Sequence, residues 1–187
     1  GYRRFRRLVS PMFGGLTRVL AQEEAYAGRF EALGVPRDRI ETTGSLKWDS
    51  ARIEDRVEGA DELAEAMGID RSRPLVVAGS TAPEEHALLE RSVPREVQLL
   101  CAPRRPEWCD AAAAALPGCA RRSRGDRGSA TGRFLLDTLG ELRQAYALAD
   151  VVVVGRSFGT LFGSDPVEPI ALGQPAVIGP AVADFPT

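Results

Sequence analysis

The chain has 187 residues, enough for one well-buried domain or for one domain and part of another. Hydrophobic residues make up 44% and charged residues 27%, with a formal net charge of -2. This is an ordinary globular balance, with no global field to draw in nucleic acid or an anionic membrane and no apolar run of bilayer length. Cys101, Cys109 and Cys119 are odd in number and lack Cys-x-x-Cys spacing, which argues against a zinc site or a disulfide framework. His86 is the one histidine, so Ser-His-Asp chemistry has no base here. Its place after Pro83-Glu84-Glu85, in an expected first helical turn, predicts an exposed bystander.

The predicted elements run as follows. Arg3, Arg4, Arg6 and Arg7 around Tyr2, Phe5 and Leu8 predict a short basic amphipathic helix. Residues 17–21 read as a strand, 23–33 as a helix closed by Gly34, and 39–43 as a second strand ending at Gly44-Ser45-Leu46-Lys47-Trp48-Asp49. Residues 50–70 then predict a charged helix with Ile53, Val57, Ala60, Ala64 and Met67 along one face. Beyond Pro74 the pattern alternates: Leu75-Val76-Val77-Ala78 as a buried strand, and Thr81-Ala82-Pro83-Glu84 as a capping box for the next helix. Further strands are predicted at 97–101, near 119–122, at 134–137, at Val151–Val154 and at 176–179, with helices at 109–116, 140–149 and 168–172.

Short apolar strands alternating with helices mean an α/β fold whose parallel sheet is covered on both faces, with ligands at the carboxyl ends of its strands. Four such ends carry unusual residues. Gly79-Ser80-Thr81 turns into a helix N-terminus, a setting that suits a phosphate or carboxylate, or an ordinary cap. Pro103-Arg104-Arg105-Pro106-Glu107 is a proline-stiffened loop that presents arginine. Asp137-Thr138-Leu139-Gly140-Glu141-Leu142 opens a helix with a glycine that admits close approach to the backbone. Gly155-Arg156-Ser157-Phe158-Gly159 and Phe162-Gly163-Ser164-Asp165-Pro166-Val167-Glu168-Pro169 form a glycine-rich loop ending in a helix start, where a carboxylate can accept from both hydroxyls of a ribose.

These motifs, together with Leu20-Ala21-Gln22-Glu23-Glu24 and Gly44-Ser45-Leu46-Lys47-Trp48-Asp49, stand in the order and spacing of the Kdo (3-deoxy-manno-octulosonic acid) transferases, which the chain resembles over nearly its whole length. The resemblance implies a GT-B fold. Residues 1–49 would be the end of an N-terminal acceptor domain, 50–73 a linker with a connecting helix, and 74–187 a C-terminal nucleotide-sugar-binding domain. It implies inverting transfer of Kdo from CMP-Kdo to a lipid A precursor at the cytoplasmic face of the bacterial inner membrane. Neither a bound metal nor a cofactor is implied, and no nucleic acid partner. Contact with the membrane surface would come through a preceding part of the protein. Gly1 in place of Met, and an end just after an expected strand, read as a fragment.

Carried over by motif, Pro103, Arg104, Leu139, Gly140, Glu141, Asp165, Pro166, Val167 and Glu168 would hold CMP, with Ser80 and Ser157 as candidate sugar or phosphate contacts. Lys47, the single lysine beside 23 arginines, would stabilise charge during transfer. The family's catalytic base lies in the N-terminal domain and has no counterpart here. One departure stands out: Asp165 occupies a position where the family carries Asn, replacing a donor–acceptor amide by an acceptor-only carboxylate. A UDP-sugar epimerase of the same fold and a non-catalytic nucleotide-binding module are the rival readings; the first would bring several catalytic acids and histidines, and the single His86 weighs against it.

Overall fold

The computed structural model describes residues 5–44, 53, 54 and 56–182. The chain divides into two compact units, Gly1–Ala51 and Arg52–Thr187. In the first, helix α1 (Arg6–Gly14) precedes strand β1 (Val19–Ala21), helix α2 (Glu24–Leu33) and strand β2 (Ile40–Thr42). β1 and β2 pair in parallel, so β1, α2 and β2 make one βαβ crossover. Val19, Ala21, Ala27, Val35 and Ile40 form its core, with Phe13 and Phe30 packed against it. α2 stops where expected, at a left-handed Gly34 with φ 108°.

The second unit is a six-stranded, wholly parallel sheet. Its elements are α3 (Ala60–Met67), β3 (Leu75–Thr81), α4 (Pro83–Ser92), β4 (Gln98–Pro103), α5 (Cys109–Ala115), β5 (Ala120–Arg121), β6 (Arg133–Leu135), α6 (Leu142–Leu148), β7 (Val151–Val154), α7 (Val167–Ala171) and β8 (Ala176–Ile178). The strand order is β5-β6-β4-β3-β7-β8. The chain winds from β3 outward through β4, then returns to the other side of β3 with β7, so the winding reverses between β3 and β7.

The strands read as nearly continuous apolar runs because both faces are covered. Val77, Leu100, Phe134 and Val152 point to one side, where α3 and α6 supply Leu63, Met67, Ala145 and Tyr146. Val76, Ala78, Leu99, Cys101 and Leu135 point to the other, under Leu89 of α4 and Ala112 of α5.

Two expectations need correction here. Among the described residues, the helix predicted over 50–70 is limited to α3, because left-handed Gly59 (φ 85°) precedes it and Ile53 is 86% exposed. Ala60, Leu63, Ala64 and Met67 of this helix belong to the core of the sheet domain. The helix expected from Gly140 starts only at Leu142, because Gly140 is itself left-handed with φ 89°.

Candidate functional site

The carboxyl ends of β6, β4, β3 and β7 lie side by side, which gathers the four motif loops at one edge of the sheet. The Arg104 N–H donates to the Thr81 carbonyl at 3.0 Å and the Gly155 N–H to the Gly79 carbonyl at 2.8 Å, locking the ends of β4 and β7 to β3. On each side of the winding reversal, a residue other than glycine sits in the left-handed region: Ser80 at φ 55° after β3 and Arg156 at φ 59° after β7. Such backbone costs about 1–3 kcal/mol per residue and persists only where its surroundings hold it. At Ser80 the pairing register shifts between Gly79 and Thr81. Gly155 must remain glycine, because a Cβ there would stand 2.5 Å from the Ser80 carbonyl oxygen.

The shift at Ser80 changes how α4 begins. Thr81 stays paired in β3, so the helix N-cap is Ala82, and Glu85 rather than Glu84 reaches back to the capping N–H, with Oε2 accepting from Ala82 at 2.8 Å. Glu85 is 2% exposed and accepts two more backbone donors, the N–H groups of Arg156 (2.8 Å) and Phe158 (3.1 Å). Pro83 has no N–H and the Glu85 N–H returns to the Ala82 carbonyl. The protein's own carboxylate thus takes the N-cap N–H of the helix start that suited a phosphate, and Ser80 stands just before it.

His86 is fully buried, contrary to the exposed position expected of it. Its Nε2 lies 3.0 Å from the Thr81 hydroxyl, while Nδ1 has no hydrogen-bond partner among the described residues. Burial pulls its pKa below the ordinary histidine value, against the opposing pull of Glu85 and Glu84.

Ser157 is likewise turned inward. Its buried hydroxyl donates to the Val154 carbonyl and accepts from the Gly179 N–H at 2.9 Å, so it ties the β7 loop to the segment after β8 rather than facing a sugar.

The loops themselves are differently held. Arg105 lies over the Trp108 ring at 5.0 Å and near Glu107, whereas the Arg104 side chain is exposed and enters no hydrogen bond or ion pair among the described residues. Glu141 receives both Nε (3.1 Å) and Nη2 (2.8 Å) of Arg122 and the Thr138 hydroxyl; the Arg122 bonds first hold its carboxyl below the usual range, against burial. Between them Leu139 is 86% exposed, and nothing stands near the open side of Gly140.

Asp137 accepts from the Ser123 N–H and hydroxyl (2.8 and 2.6 Å) and from Arg121 Nε (2.8 Å). Burial pushes its pKa up, but these bonds outweigh it and hold the carboxyl below the usual range.

Asp165 accepts the Val167 N–H at 3.0 Å, so it caps the start of α7 after Pro166. Glu168, in the first turn of α7, keeps its side chain 42% exposed and lies 3.9 Å from Arg143 on α6. It also faces Tyr146, whose hydroxyl packs under Gly79; burial first, then the Glu168 charge, pushes the phenol well above its ordinary pKa. The nucleotide candidates therefore share one edge, while Lys47 lies outside the described residues. Sequence reasoning missed Glu85, Arg156 and the Arg121–Arg122 pair. The signal for Glu85 was present but was assigned to the glutamate before it.

A doubly wound parallel sheet with these loops at the reversal of its winding defines a Rossmann-like domain of the GT-B glycosyltransferase type. The profile of a family described as "3-Deoxy-D-manno-octulosonic-acid transferase (kdotransferase)" matches residues 1–50. Curated 3-deoxy-D-manno-octulosonic acid transferases are similar: that of Bordetella pertussis is 36% identical over 91% of this chain and 42% of its own length. That of Haemophilus influenzae is 27% identical over 99% and 45%.

Among solved structures, the C-terminal CMP-Kdo binding domain of WaaA from Acinetobacter baumannii is 29% identical with a TM-score of 0.58, over 68% of this chain and 72% of that one. HepE of Anabaena, in complex with UDP-glucose, shares the fold at 14% identity and a TM-score of 0.51, over 100% of this chain and 52% of that one. Together these matches make the chain similar to a GT-B segment of the Kdo transferases. It spans less than half the length of those curated relatives.

Proposed function

We propose that the chain supplies the CMP-sugar-binding half of a Kdo transferase, which passes Kdo from CMP-Kdo to a lipid A precursor in lipopolysaccharide core synthesis. The observation that supports this most directly is the row of loops at the ends of β4, β6 and β7, on a domain similar to one that binds CMP-Kdo. In this reading the unengaged Arg104 guanidinium meets the phosphate. The backbone around Pro103 and from Leu139 to Glu141 reads the cytosine, and Glu168 takes the ribose hydroxyls, with Asp165, Pro166 and Val167 shaping its turn.

The unit Gly1–Ala51 is then the end of the acceptor domain, and Lys47 meets the charge that develops on the departing phosphate. Transfer is a direct displacement. The acceptor oxygen attacks the anomeric carbon with inversion and yields its proton to a base outside this chain, while the bond to CMP breaks and CMP leaves with the electron pair. No metal or other cofactor takes part, and the enzyme works at the cytoplasmic face of the inner membrane.

The test is to offer the chain CMP-Kdo and a lipid A precursor while following CMP binding by ligand-observed NMR. Binding without turnover is expected. Turnover by this polypeptide, or no CMP contact at all, would overturn the proposal.

A further inference from the structure

We infer that Glu85 and Arg156 form a positioning relay that sets the loop from Gly155 to Pro166, and with it the first turn of α7, for the nucleotide. This rests on reading that loop as part of the CMP site. An N3 glutamate needs only its own N-cap N–H to complete a helix start. Glu85 goes further, accepting from Arg156 and Phe158, which lie 71 and 73 residues along the chain. Three N–H groups converge on two carboxylate oxygens in a site that water hardly reaches. An amide there would turn its NH2 toward at least one of those donors, so a carboxylate is the group that fits.

Arg156 passes the constraint on. Its N–H is fixed by Glu85, its backbone is left-handed at φ 59°, and its side chain runs along its own loop. Nε donates to the Ser164 hydroxyl at 3.0 Å, Nη2 donates to the Gly163 carbonyl, and the Gly163 N–H returns to the Arg156 carbonyl at 3.0 Å. The next residue, Asp165, accepts the Val167 N–H that opens α7, and Glu168 follows. A buried carboxylate on α4 therefore sets the direction of a half-exposed carboxylate on α7, through hydrogen bonds that cross the winding reversal of the sheet.

The relay is tested in the 187-residue chain with Glu85→Gln, Arg156→Gly and Arg156→Lys. Two quantities are read: the backbone amide resonances of Val167 and Glu168 without nucleotide, and CMP affinity. Glycine adopts the left-handed conformation freely, so Arg156→Gly removes the side chain without adding strain. Leu116→Ala, in the core on the α5 face, is the control for lost stability alone.

Glu85→Gln and Arg156→Gly are expected to move both amides and to weaken CMP about tenfold. Arg156→Lys, with one ammonium to reach the loop, should recover part of that affinity, and Leu116→Ala should change neither quantity. Unmoved amides in Arg156→Gly, or parental CMP affinity there, would overturn the relay even if Glu85→Gln fails to fold. If the parent chain itself ignores CMP, the nucleotide reading fails, and the relay stands or falls on the amide resonances.

Discussion

At the ends of β5 and β6 arginine side chains meet carboxylates, Arg121 on Asp137 and Arg122 on Glu141, whereas at the ends of β3 and β7 a buried carboxylate is fed by three backbone N–H groups. The Arg122–Glu141 pair keeps 30% and 25% of its side chains in contact with solvent; Glu85 keeps almost none. The Arg122–Glu141 pair holds a protruding loop through charges that water and salt can screen, while the Asp137 side chain, 2% exposed, is as buried as Glu85. The Glu85 arrangement fixes backbone, including the strained residue Arg156. The loop held by Arg122 and Glu141 is thus the less firmly fixed of the two.

Truncation should separate the two sides most sharply. Glu85→Ala strips three buried N–H groups of their acceptor and is expected to lower stability by about 3–5 kcal/mol. Arg122→Ala, on the loosely held side, should lower it by about 1 kcal/mol or less. Urea denaturation of the two variants checks this, and equal losses would erase the distinction.

Glu168→Gln comes next. If Glu168 takes the ribose hydroxyls, CMP affinity should fall by roughly 1–3 kcal/mol with little change in Tm. If it only caps α7, Tm should fall and affinity stay, which parallel calorimetry and thermal melts distinguish.

A smaller, pH-dependent effect belongs to Asp137. Its folded pKa is depressed, so its contribution is present above the unfolded value of about 3.9 and is lost as pH falls through the lower folded value. The parent should therefore lose stability as the pH falls below the unfolded value of about 3.9, and Asp137→Asn should flatten that decline in acid denaturation. An unchanged slope would show that the arginine side contributes nothing through this group.

The sheet was legible because buried parallel strands leave unmistakable runs, such as Val151–Val154 and Leu75–Ala78, between helical stretches. The loops at their carboxyl ends were legible as motifs for the same reason, since strand ends are where a parallel sheet binds. What stayed hidden depends on partners far away in sequence. His86 follows two glutamates, as an exposed residue would, yet the register shift at Ser80 turns it inward to Thr81. Arg156 gives no local sign that its backbone will be left-handed, because the acceptor of its N–H lies on α4. Ser157 looked available in a glycine-rich loop, but its hydroxyl is taken by Val154 and Gly179. Ile53 fits a helical face, yet it stands 86% exposed ahead of left-handed Gly59 and outside α3.

The central claim is that the loops at the ends of β4, β6 and β7 hold a cytidine nucleotide, and calorimetric titration of the chain with CMP and with UMP addresses it directly. Saturable binding of CMP, tighter than that of UMP, is the expected result, because the backbone around Pro103 and from Leu139 to Glu141 is read as the cytosine contact. Equal affinity, or a preference for UMP, would contradict the claim and turn the assignment toward a uridine-sugar enzyme of the same fold.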